Sequence, residues 1–380
     1  MRLSAAWAAL EDGLISAINC PRTCSVTDPR VEALADILVQ HSTEVGPGDL
    51  VVIDGTANAQ PLLMACYRRV LAAGGHPRLN VGFEEAQEVY LSEANDDQLE
   101  FLDPIAKFQA DSIQAAIRIR ATENTRALAN VDPSRLAKTM IARRPVMDQI
   151  IENVRWVLCD YPTNALAQEA EMSLGEYADF LYGATNIDWS EMTARLASLK
   201  TRLEAGSDVR IIGPDTDLTL RTAGRIWEPA DGKKNMPDGE IFTAPIEDSV
   251  NGRITYDFPA IYQGRQVDGI TLTFKDGLIV EATAERGEEF LNAILDTDSG
   301  ARRLGEIGIG TNNGIQRHTK NILFDEKMGG TVHLAVGRAY EFTGGKNQSA
   351  VHWDMVKDLR TDAALYLDGE LLQENGVFVE

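Results

Sequence analysis

Two short runs near the end of the chain, Thr331-Val-His-Leu-Ala-Val-Gly337 and Ala350-Val-His-Trp-Asp-Met-Val356, alternate large apolar residues with polar or very small ones. A period of two is that of a strand, in which side chains two apart share a face. His333, Ala335 and Gly337 therefore face away from Val332, Leu334 and Val336, and His352 and Asp354 face away from Val351, Trp353 and Met355. Imidazole and carboxylate over a space kept open by Ala and Gly form a donor set for a borderline divalent cation. A histidine that merely packs in a core needs no such small neighbours. Histidine is also scarce, five in 380 residues, so two on faces of this kind are informative.

Leu304-Gly-Glu-Ile-Gly-Ile-Gly310 repeats the layout, with Glu306, Gly308 and Gly310 opposite Ile307 and Ile309. Glu240 closes Asn235-Met-Pro-Asp-Gly-Glu240, where Pro237 and Gly239 set a turn into Ile241-Phe-Thr-Ala-Pro245. Each glutamate alone would ordinarily be a surface residue; the joint arrangement is what points to a site. Two histidines and three carboxylates exceed what one tetrahedral ion with an open position takes. They suit two ions bridged by a carboxylate and a water, with mid-strand Glu306 as the bridging group.

The elements that position these residues are read from the wider pattern. At 380 residues the chain suits two domains. Asp28-Pro-Arg30 opens a helix running to Val39, capped by Asp28 or Thr27. Gly46 to Asp54 is a turn and a buried strand, 59–74 a helix, and 77–81 another strand. That βαβ unit implies a parallel, right-handed arrangement. Gly55-Thr-Ala-Asn58 lacks the glycine fingerprint of a dinucleotide site. The stretch 97–150 reads as helical, broken near Asp103-Pro104 and Asp132-Pro133. Arg155–Asp160 is a strand stopped by Tyr161-Pro162, and 164–204 is helical around a loop at Asn186-Ile-Asp188. From Val209 onward short alternating strands separated by Gly, Asp and Asn indicate an antiparallel sheet. The expected organisation is an atypical extension over 1–27, an α/β domain over 28–205, and a β-rich α+β domain over 206–380 that carries the metal site.

Charge and cysteine usage exclude several classes of partner. Asp plus Glu number 58 against 36 Lys plus Arg, a net charge of −22 that disfavours nucleic acid and anionic membranes. Such a field suits cations, including a metal ion or a free α-amino group. The four cysteines are too sparse for a disulfide framework and read as free thiols in a reducing compartment. No run of about 18 apolar residues is present, and Glu11-Asp12 interrupts the apolar N-terminal run, so a cytoplasmic location is expected.

Several segments resemble the thermophilic-type metallo-aminopeptidase family: Asn235–Pro245, Gly305–Asn312, Ile322–Lys327, Gly330–Tyr340, Gly344–Asp354, Asp215–Leu218 and Tyr161–Ala170. The resemblance runs from about Asp28 to the C-terminus. It implies a cytoplasmic, homodimeric aminopeptidase that removes N-terminal residues from peptides with a free N-terminus. Two divalent metal ions per chain (zinc, cobalt, manganese or magnesium) are implied, held by Glu240, Glu306, His333, His352 and Asp354. Tyr340 is implied as an associated catalytic residue, and its phenol is placed to stabilise a developing oxyanion.

Two departures accompany the resemblance. Residues before Asp28 look foreign to the family, with translation expected to initiate at Val26. His318 stands where an aromatic such as Phe is expected and reads as a tolerated replacement, not a ligand. For the proton acceptor Glu306 is the first choice, with Glu326 and Glu247 as outside candidates. Lys327 and Arg338 read as salt-bridge partners, and Trp353 as core. Two rival readings are an amidase acting on a non-peptide amide, and a non-catalytic binding module built on the βαβ unit.

Overall fold

A computed structural model describes residues 28–379. The expectations for residues 1–27, including Cys20, Cys24 and initiation at Val26, lie outside them. Asp28 caps the first helix, Pro29–Asp36, its carboxylate accepting from the Arg30 amide at 2.9 Å. The helix was expected to run on to Val39; it continues instead as a wider π-helical turn over Ile37–Ser42.

Four parallel strands follow: β1 (Leu50–Thr56), β2 (His76–Gly82), β3 (Ala115–Arg120) and β4 (Arg155–Asp160). Helices Gln60–Ala72 and Pro133–Asn153 make the crossovers from β1 to β2 and from β3 to β4. β3 corrects the reading of 97–150 as helical. Its Ala115, Ile117 and Ile119 are buried while Arg118 is exposed, the period of a strand. Ala and Arg are both good helix formers, so propensity pointed the wrong way and pairing between β1 and β4 decided the outcome.

After helix Trp189–Ala205, capped by Asp188, come β5 (Asp208–Gly213), β6 (Thr216–Arg221), β7 (Glu228–Ala230) and β8 (Asn235–Met236). β8 is only two residues long, yet it pairs in parallel with β4 and completes the sheet β2-β1-β3-β4-β8. The remaining strands are β9 (Glu240–Thr243), β10 (Asn251–Thr255), β11 (Ala260–Tyr262), β12 (Arg265–Val267), β13 (Thr271–Lys275) and β14 (Leu278–Thr283). They continue with β15 (Leu304–Gly310), β16 (Thr331–Gly337), β17 (His352–Asp358), β18 (Ala364–Leu367), β19 (Glu370–Glu374) and β20 (Val377–Phe378).

They build an eight-stranded sheet, β14-β13-β10-β6-β5-β18-β19-β20, and a five-stranded antiparallel sheet, β17-β16-β15-β9-β7. The architecture is thus an α/β N-terminal region with parallel βαβ units, followed by a β-rich region. One face of the five-stranded sheet supplies core: Ile241, Ile307, Ile309, Val332, Leu334, Val336, Trp353 and Met355 are all buried. Trp353 stacks on Tyr262 there, ring centroids 5.1 Å apart. The opposite face holds the polar residues.

Candidate metal centre

Register brings the polar residues of four strands together. Ala335 of β16 lies opposite Glu306 of β15 on one side and Asp354 of β17 on the other. Gly308 lies opposite His333, Gly310 opposite Glu240, and Gly337 opposite His352. The small residues between the polar ones therefore sit beside them on the neighbouring strand, where a larger side chain would fill the same space. At Gly308 the need is direct: a Cβ there would stand 2.0 Å from His333 Cε1 and 2.2 Å from its Nε2.

The distances define one cluster. His333 Nε2 lies 3.1 Å from Glu306 Oε1 and 3.3 Å from Glu240 Oε2. His352 Nε2 lies 3.7 Å from Asp354 Oδ2 and 3.8 Å from Glu306 Oε2. Glu306 is thus between the two imidazoles. Each ring is held from behind: Nδ1 of His333 donates to the carbonyl of Glu326 at 3.0 Å, and Nδ1 of His352 to that of Arg338 at 2.9 Å. With Nδ1 donating backwards in this way, Nε2 is the nitrogen that faces the carboxylates and would ligate a metal once it gives up its proton, the arrangement metal-bound histidines use.

Two residues enlarge the cluster beyond the sequence-derived set. Glu326 and Lys327 follow the short helix Ile322–Asp325, which Asn321 caps. Lys327 is fully buried, its ammonium 3.3 Å from Glu240 Oε1 and paired with Glu326. The salt-bridge role expected of Lys327 is the one it has, but inside the site. Glu326, expected only as an outside proton acceptor, groups with Glu240 and His333, their donor atoms within 4.8 Å of one another. A second such group is Glu306, His333 and Asp354. Both added residues lie on irregular chain, where no periodicity marks a face; only their place within Ile322–Lys327 hinted at them.

The electrostatics ask for added positive charge. Burial pushes the Glu240 carboxyl well above its usual range, and Asp354 up to about 6. Burial lowers His333, but Glu240, Glu306 and Asp354 outweigh it and raise the imidazole to about 10. Among the described residues Lys327 pairs with Glu240 and Glu326, and no lysine or arginine salt bridge reaches Glu306 or Asp354. Among the described residues no hydrogen bond reaches Glu240 Oε2, Glu306 Oε2 or Asp354 Oδ1, although all three atoms are buried. Orphaned carboxylate oxygens in the interior are costly unless a cation completes them. The donor set fits divalent metal.

The other named residues fall around this core. Tyr340 lies just past β16, its ring centroid 5.3 Å from that of His352; burial raises its phenol further above neutrality. His318 stacks on Phe258 at 4.9 Å and pairs with Asp325, outside the cluster. Glu247 is held by Arg225 at 2.8 Å and by the amide of Lys346, and Arg338 is exposed. The α/β region is tied in as well. Buried Asp160 at the end of β4 is clamped by Arg120 and accepts from Asn321 at 2.7 Å. Buried Asn312 donates to the carbonyls of Ala184 and Asp238, at 3.0 and 2.8 Å.

Fold and donor set together fit a metalloprotein, with the candidate site on one face of a small antiparallel sheet. Residues 27–378 match the sequence profile of the thermophilic metalloprotease family (M29), and the chain belongs to that family. It is 28% identical over 366 residues to aminopeptidase 2 of Geobacillus stearothermophilus, covering 82% of this chain and 84% of that one. The solved structure of wild-type AmpT from Thermus thermophilus superposes with a TM-score of 0.81 at 25% identity, over 93% of this chain and 99% of that one. A 2,5-dihydroxypyridine dioxygenase from Pseudomonas putida KT2440 shares the fold, with a TM-score of 0.58 at 13% identity over 92% of this chain and 96% of that one. The fold therefore hosts more than one chemistry, and function has to be argued from the site.

Proposed function

We propose that the chain is a metal-dependent aminopeptidase that removes N-terminal residues from peptides at a dinuclear centre. The observation that carries this reading is the set of three buried carboxylate oxygens without a donor, one each on Glu240, Glu306 and Asp354, beside two back-bonded histidines. Glu240, Glu306, His333, His352 and Asp354 would hold the two ions, with Glu306 between the imidazoles as the shared ligand. When bound, such ions polarise the scissile carbonyl and bring the pKa of a bridging water towards neutrality.

The chain's own residues do the rest. Glu306, the proposed shared ligand, is also the favoured proton acceptor, with Glu326 as an alternative. Tyr340, kept protonated by burial, donates a hydrogen bond to the developing oxyanion. Lys327 holds Glu240 and Glu326 in place, and the buried strands β15 and β16 keep bulk water from beneath the site. Residues 206–380 supply every proposed ligand, and residues 28–205, with β8 added to their sheet, make up the proposed supporting α/β domain.

We further propose a cytoplasmic homodimer. Cys66 and Cys159 are buried free thiols, and no helix among the described residues is long and apolar enough to cross a membrane. Sedimentation at working concentration tests the dimer. The activity is tested with aminoacyl amides and their N-acetylated counterparts under defined metals. Cleavage of the free-amine series alone is expected. Equal cleavage of both series would favour the amidase reading.

A further inference from the structure

The proposed ligands are graded in exposure. The His333 side chain is fully buried, those of Glu240 and Glu306 are 7% exposed, and those of Asp354 and His352 are 13% and 22%. The way in is therefore beside His352. The first ring met there is Tyr340, and it does not stand alone. Its centroid is 5.4 Å from that of Phe342 and 5.8 Å from that of Phe242, which are themselves 6.2 Å apart. Phe242 is two residues after Glu240 on β9, so it shares the face of the metal ligands. It lies opposite Gly308, which has no side chain to cover it. Phe342 is 52% exposed, a large apolar ring left open to solvent one ring away from His352.

We infer that Phe242, Tyr340 and Phe342 form an aromatic wall that receives the side chain of the substrate's N-terminal residue, favouring large apolar and aromatic residues. The inference rests on the aminopeptidase reading and deepens it. A substrate whose carbonyl meets Tyr340 carries its first side chain only two bonds from that carbonyl, within reach of the adjoining rings. An aliphatic or aromatic group seated there covers the open face of Phe342 and is removed from water. Gly and Ala side chains are too small to reach it. Tyr340 has a chemical role of its own in the proposed mechanism, and Phe242 is packed between neighbours. Phe342, exposed and at the rim, is the position at which preference separates from catalysis.

The experiment compares wild type with Phe342→Ala and Phe342→Leu on glycine, alanine, leucine and phenylalanine p-nitroanilides, with binding of free L-phenylalanine and glycine read by calorimetry. For Phe342→Ala, kcat/KM is expected to fall about tenfold on the leucine and phenylalanine substrates and less than twofold on glycine and alanine. Most of the fall should lie in KM, L-phenylalanine binding should weaken in parallel, and Phe342→Leu should restore much of the loss on leucine. An equal loss on all four substrates, an unchanged preference, or a changed sedimentation coefficient overturns the inference by assigning Phe342 to packing. If wild type cleaves the panel while preference is unmoved by Phe342, the wall fails and the aminopeptidase reading stands. If wild type cleaves none of the panel under any metal, the underlying reading falls and the wall with it.

Discussion

Gly308→Ala adds one methyl at the point where β15 passes the His333 ring. The obstacle is a fully buried ring: the new Cβ meets the imidazole at 2.0 Å, and ordinary contact begins at 3.4 Å, so the ring must retreat by about 1.4 Å. Its retreat is opposed by the Glu326 carbonyl, 3.0 Å from Nδ1. Metal–ligand distances tolerate only about 0.2 Å of error, several times less than the displacement required. Overpacking of a filled interior costs about 1–3 kcal/mol. A misplacement of about 1 Å in a catalytic constellation costs turnover about 100-fold. The expected variant is folded but weakened by that amount in urea unfolding, with cobalt or zinc affinity reduced at least about 10–100-fold. Affinity is measured by competition with a chromophoric chelator. Gly183→Ala is the matched control, since no atom lies within 4 Å of its added Cβ and the site is the interior of helix Leu174–Thr185. It should stabilise by about 0.5–1 kcal/mol and leave metal binding alone. A folded Gly308→Ala protein with wild-type metal affinity would show that His333 Nε2 does not face the metal.

Glu306→Gln should leave the fold intact and reduce turnover at least about 1000-fold; near-normal turnover on aminoacyl amides sinks the proton-acceptor assignment. Lys327→Met removes the permanent cation from between Glu240 and Glu326. The metal-free protein should lose about 3–5 kcal/mol in urea unfolding, and a change below about 1 kcal/mol would mean the pair is solvated. Arg120→Ala leaves Asp160 buried with Asn321 as its remaining side-chain donor, and a loss of about 1–3 kcal/mol is expected by the same measurement. Metal should stabilise the native chain by about 2.7 kcal/mol at a free concentration of 100 times Kd. A chelated and a loaded sample with the same melting temperature would exclude tight binding by the folded state.

Where polar and tiny residues alternate with large aliphatics, as in Thr331–Gly337 and Leu304–Gly310, the strand and its chemical face were both legible. The face against the core had to be continuous, and one residue of slip would have buried the wrong set. Asp28 announced its helix through cap chemistry, whereas Asp188, read as part of a loop, caps the helix Trp189–Ala205. What was not legible depends on contacts distant in sequence. β3 is made of helix-favouring Ala and Arg, and it is a strand because β1 and β4 flank it. β8 is two residues long and carries no periodicity at all. The five proposed ligands could be picked out because Glu306, His333, His352 and Asp354 lie on alternating runs and Glu240 opens its strand after a marked turn. Glu326 and Lys327 were named only as an outside proton acceptor and a salt-bridge partner; the burial of Lys327 inside the site was not legible, since a lysine followed by glycine-rich chain usually points to water. Its burial comes from Glu240 and Glu326 closing around the ammonium.

The brevity of β8 has a consequence for how substrate can enter. Met236 is hydrogen-bonded into the parallel sheet, and four residues later Glu240 is hydrogen-bonded into the antiparallel one. Asn312 fastens the turn between them to the end of helix Leu174–Thr185. Any movement of one sheet against the other is therefore transmitted directly to Glu240, which faces His333 at 3.3 Å. The short link ties Glu240 to both sheets at once, and the more exposed rim around His352 and Phe342 is the side of the site that substrate can reach.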